Sequence, residues 1–144
     1  MLTQCAVAEK TFLDMRTAAA QRHYQARFVA VSHSNQFATE RWLASLPDPE
    51  QNSLIHVVVD EERRTYADWG LGVSSFWHVM NPWSLLSVFR LGKQEGIWNR
   101  PTESGTRWQT AGTFIVDGSG TVRWSKPSAS ADEVPNFAEA LRSL

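Results

Sequence analysis

Two short runs of apolar, largely β-branched residues flank a segment with helical spacing, and that order constrains the fold more than any other feature of the chain. The first run covers residues 27–32 and carries Phe28, Val29, Ala30 and Val31. The second covers 54–60 and carries Leu54, Ile55, Val57, Val58 and Val59. Runs without polar alternation suit strands buried on both faces. Between them, Ser34 or Asn35 can cap a helix that carries Phe37, Trp42, Leu43 and Leu46, and Pro47-Asp48-Pro49 ends it. Strand, helix and strand in this order predict a right-handed crossover between parallel neighbours.

The flanking segments extend this pattern. Over residues 5–22, Cys5, Ala8, Phe12, Met15 and Ala19 recur at spacings of three and four, which predicts a helix with one apolar stripe. Glu9, Asp14 and Arg16 fall largely off that stripe. Residues 61–69 read as a short helix closed by Gly70. Residues 113–117 and 121–125 read as two antiparallel strands joined at Gly118-Ser119-Gly120. A final helix is expected to open at Ser130-Ala131-Asp132-Glu133 and to carry Val134, Phe137, Leu141 and Leu144, with Pro135 in its first turn. Residues 72–105 form an aromatic-rich excursion, in which Asn81-Pro82 suggests a helix start followed by Trp83, Leu86, Phe89 and Arg90. The expected architecture is α/β, a mixed sheet flanked by helices, in a single domain over residues 1–144.

Composition excludes several function classes. Hydrophobic residues make up 42% of the 144 and charged residues 20%, a globular profile. The net charge of −1 and the lack of a basic tract argue against a nucleic-acid or anionic-lipid partner. No apolar run approaches a membrane span, and the N-terminus shows no secretion signal. A single cysteine forms no internal disulfide, so a reducing, cytoplasmic setting is expected. His23, His33, His56 and His78 show no metal-ligand spacing, so no metal is expected. Gly70-Leu71-Gly72 lacks the third glycine of a dinucleotide fingerprint, and no Gly-x-Ser-x-Gly elbow is present, so no such cofactor or triad is expected.

Cys5 is the first candidate for chemistry. It sits at the mouth of the first predicted helix, where Thr3 can cap and unpaired N–H groups and the helix dipole favour thiolate over thiol. Core packing is the plainer role for a lone cysteine. His33 falls just past a strand end, between Ser32 and Ser34, where it can brace a loop or act as a base. Phe76, Trp77, Trp83, Leu86 and Phe89 can form a lid over an apolar small molecule, a subunit seam, or both. Arg107 lies in a polar loop with Arg100 and Glu103 and can pair at the surface or hold an anion.

Several of these stretches resemble the AhpC/TSA-type peroxiredoxin-like family, in the branch found in many fungal proteins. They are Val29-Ala30-Val31-Ser32-His33-Ser34 followed by Arg41-Trp42, then Val59-Asp60 followed by Tyr66-Ala67 and Trp69-Gly70-Leu71, and Gln109 through Asp117 with Gly120. The resemblance implies a thioredoxin-like fold and an antioxidant oxidoreductase, with Cys5 as the nucleophile that a peroxide oxidises to sulfenic acid. It implies Thr3 as a polarising donor and Arg107 as charge partner, although Thr3 stands two residues before the cysteine where the family has three. Ala8 occupies the second position of the related Cys-x-x-Cys motif, so an external thiol such as glutathione would have to resolve the sulfenic acid. Only Met1 to Gln4 precede Cys5, so the family's first central strand has no counterpart, and the strands at 28–32 and 113–117 are expected to flank its place. They can pair directly, be covered by another subunit, or belong to a longer protein. A homodimer is expected from such an open edge. Two alternatives stand beside the redox reading. One is a repurposed fold that binds an apolar metabolite at Trp77, His78, Trp83 and His33, with a non-redox step in secondary metabolism. The other is a non-catalytic partner-binding module.

Overall fold

A computed structural model of the chain describes residues 6–22, 26–72, 86, 89–90, 92–94, 109–130 and 132–143. Helix α1 spans Ala6–Arg22, strand β1 Val29–Ser32, helix α2 Gln36–Ala44 and strand β2 His56–Val59. A 3₁₀ turn at Pro49–Leu54 leads into β2, and helix α3, Arg64–Asp68, follows it. Strands β3, Gly112–Val116, and β4, Val122–Pro127, precede a short helix α4, Phe137–Ala140, and a last 3₁₀ turn, Leu141–Ser143. The α/β class therefore stands, with small sheets flanked by helices.

The core forms where α1 and α2 meet the β1–β2 pair. Phe12, Ala19, Phe28, Ala30, Trp42, Leu46 and Ile55 make one buried cluster, with Met15, Leu43, Val57 and Leu141 packed against it. The Phe12 and Trp42 rings meet edge to face at 5.3 Å. The α1 stripe carries this cluster as expected, but the helix is covered on more than that face. The Pro49–Leu54 turn and α4 also pack on α1, and both Glu9 and Arg16 are buried. Arg16 is accommodated because its Nη1 donates to the Pro47 carbonyl at 2.7 Å, the Asp48 carbonyl at 3.1 Å and Asn52 Oδ1 at 3.1 Å. A buried guanidinium requires such acceptors.

Local chemistry sets the helix boundaries. Asn35 caps α2 by accepting from the Ala38 N–H at 2.8 Å. The helix stops at Ala44, ahead of Leu46, because Pro47 disfavours helical backbone at the residue before it. Leu46 reaches the core from the following turn. The last helix starts later than its sequence suggests, at Phe137 rather than near Ser130. Pro135 disfavours helical backbone at Val134, and Asn136 Oδ1 takes the Glu139 N–H at 3.1 Å, which makes Asn136 the cap. Glu133, read as a first-turn residue, instead ties the preceding loop to β4 through Lys126 at 2.8 Å and the Ala129 N–H at 2.7 Å.

The strands stand as two pairs. β1 and β2 are parallel, with Val29 opposite His56 and Ser32 opposite Val59. β3 and β4 are antiparallel, with Phe114 opposite Ser125 and an irregularity between Ile115 and Val116. The first of the three outcomes for the missing strand, direct pairing of 28–32 with 113–117, is not found among the described residues. β1 has another solution for its outer edge. The Phe28 and Ser32 carbonyls accept from His56 and Asp60 of the β2 segment, so alternation points the Val31 carbonyl away from β2. There the Tyr66 hydroxyl of α3 donates to it at 2.7 Å.

Phe12→Ala is expected to destabilise the protein by about 3–5 kcal/mol, read as a lower urea midpoint. Tyr66→Phe is expected to cost about 0.5–1.5 kcal/mol, because it removes the hydroxyl that donates to the half-buried Val31 carbonyl. A Tyr66→Phe midpoint equal to that of the unmodified protein would show that Val31 has no need of the hydroxyl.

Candidate functional site at the carboxyl end of the parallel strands

In open α/β sheets, ligands bind beyond the carboxyl ends of the strands. At that end, β1 runs directly into a buried polar segment. Ser32, His33 and Ser34 are 5%, 2% and 0% exposed, and Thr39 of α2 is 2% exposed. The Ser32 and Thr39 hydroxyls lie 3.0 Å apart, one donating to the other. The Ser34 N–H donates to Ser32 Oγ at 3.3 Å. Beyond β2, Asp60 accepts from the N–H groups of Arg64, at 3.0 Å, and Tyr66, at 3.3 Å. Its carboxylate is thus committed to the start of α3. Neither oxygen takes part in a Ser-His-Asp relay.

Of the sequence-predicted site residues, His33 and the lid candidates Leu86 and Phe89 are described, and Leu86 and Phe89 are exposed. The His33 ring meets the Tyr66 ring edge to face at 5.6 Å, and its Nδ1 has no hydrogen-bond partner among the described residues. Burial lowers its pKa from 6.5 to about 4, so the imidazole is neutral at physiological pH. Burial likewise pushes the Tyr66 hydroxyl above its ordinary range and keeps it a donor. The cluster is therefore polar but uncharged at His33 and Tyr66, which suits hydrogen bonding to a neutral ligand.

Helix α1 is directed toward this same end. Arg16 binds the loop that leads toward the start of β2, whereas Phe12 lines a small apolar cavity with Trp42 that runs from Ala30 and Val57 in mid-strand to Ser32 and Thr39 at the far end of β1. Going back from Phe12, the helix rises about 1.5 Å per residue toward its start. Ala6, Val7 and Ala8 there are all buried. Ala6 directly follows Cys5 in the chain. Cys5 itself, with Thr3, Trp77, His78, Trp83 and Arg107, lies outside the described residues.

The hairpin joins the rest through the end of α3. Trp69 stacks at a tilt on Phe114, centroids 4.6 Å apart. Gln109 Nε2 donates to the Leu71 and Gly72 carbonyls, each at 3.1 Å. Leu71 approaches so closely that a Cβ at Gly112 would sit 2.8 Å from its Cδ2, so a side chain there would require Leu71 to shift. Sequence reasoning missed Tyr66 and Thr39 as members of the polar cluster. Tyr66 could have been found from its place in the first turn of a helix that follows a strand; Thr39 had no distinguishing signal. Among the described residues, no group of three or more His, Cys, Asp or Glu comes together to hold a metal. No described helix is long and apolar enough to cross a membrane.

The His33 shift gives a signed expectation. An imidazole whose folded pKa lies below its unfolded value contributes its full stabilisation above pH 6.5 and loses it as pH falls toward 4. The loss over that window is on the order of 3 kcal/mol at most. Urea midpoints at pH 7 and pH 4.5 should therefore differ more for the unmodified protein than for His33→Gln. Equal differences would show that His33 does not carry the acid sensitivity.

The sequence pattern of one family runs across nearly all of these elements. The family model described as AhpC/TSA antioxidant enzyme matches residues 16–130, a span that includes both strand pairs and the polar cluster. It starts after Cys5 and contains Arg107. No curated protein and no solved structure gives a match. With most of its length matched, the chain belongs to the AhpC/TSA antioxidant enzyme family, of peroxiredoxin-like, thioredoxin-like type.

Proposed function

We propose that the protein is a one-cysteine, peroxiredoxin-like oxidoreductase with Cys5 as its nucleophile. The family's general role is a thiol-dependent antioxidant one. The observation that carries the finer reading is the direction of α1, whose buried first turn rises toward the end of β1 that holds the His33 cluster. A thiolate at such a helix start is favoured by unpaired N–H groups and the helix dipole. In this reading Thr3 polarises the reacting oxygen, Arg107 offsets the thiolate charge, and His33 hydrogen-bonds a neutral peroxide.

The chemistry balances with two external thiols. The Cys5 thiolate attacks one peroxide oxygen, the O–O bond breaks, and the departing alkoxide takes a proton and leaves as alcohol. The sulfur, oxidised by two electrons, is then a sulfenic acid. An external thiol displaces water from it to give a mixed disulfide. A second external thiol attacks that disulfide, releases an external disulfide and restores Cys5. Ala8 stands where a local resolving cysteine would be, so the reductant comes from outside the chain. We assign the protein to a reducing, cytoplasmic setting and to a homodimer on the same reading.

A second reading keeps the fold without redox chemistry. The family match begins at residue 16 and leaves Cys5 outside it, which favours this reading. An apolar small molecule would then contact Trp77, His78, Trp83 and His33, and Cys5 would serve in packing.

Treatment with hydrogen peroxide and then dimedone, followed by peptide mass spectrometry, separates the two. The redox reading expects a dimedone adduct on Cys5 and catalytic peroxide loss with glutathione, both abolished in Cys5→Ser. An unlabelled Cys5, with peroxide loss no faster than in the Cys5→Ser protein, would contradict it.

A further inference from the structure

We draw no further inference here: the strongest candidate, the outward edge of β3 at Phe114 and Val116 with the exposed Val122 beside it on β4, carries nothing, because nothing in the structure shows what covers it.

Discussion

The half-buried strand β1 is tied through its backbone on both edges. Its carbonyls at Phe28 and Ser32 accept from the β2 segment, and the Val31 carbonyl on the opposite edge takes the Tyr66 hydroxyl. Leaving either edge unmet would cost about 1–3 kcal/mol per buried group, a large share of a marginal stability of about 5–15 kcal/mol. The position of α3 depends on the same bond. Asp60 starts α3 by taking the N–H groups of Arg64 and Tyr66, and Tyr66 reaches back to β1. One short helix thus ties a carbonyl on the outer edge of β1 and places an aromatic ring against His33.

Function draws on what this arrangement does to charge. Burial makes His33 neutral and keeps the Tyr66 proton in place. Ser32 and Thr39 satisfy each other, and Asp60 is spent on backbone N–H groups. A site of this kind offers hydrogen bonds without a strong field of its own. In the proposed reading, the charge that holds a thiolate would come from the start of α1 and from a cation such as Arg107. That division of labour agrees with the thiol-dependent antioxidant role of the family.

What the sequence disclosed follows from how local each signal is. The segments at 27–32 and 54–60 were readable because β-branched runs, the Asn35 cap and Pro47 act within a few residues. The start of α4 was misjudged because two local rules compete. Proline is tolerated in a first turn, yet Pro135 also disfavours helix at Val134, and Asn136 then caps the later start. The burial of Arg16 was invisible, since its acceptors lie 31 to 36 residues away. Strand pairing is equally non-local, so no pattern within 28–32 or 113–117 could say that, among the described residues, each pairs within its own crossover or hairpin. At the site, His33 stood out by its place after a strand. Tyr66 was quoted for its likeness to a family motif, but its contacts to Val31 and His33 come from tertiary packing.

The account's central claim is that the residue ahead of α1 is an activated thiol. The rate of Cys5 alkylation by iodoacetamide, followed against pH on the folded protein, tests it most directly. The account predicts a thiolate titrating well below the value of about 8.5 for a free cysteine. A thiol that stays unreactive when folded, or that titrates at or above that value, would contradict it and leave Cys5 a packing residue.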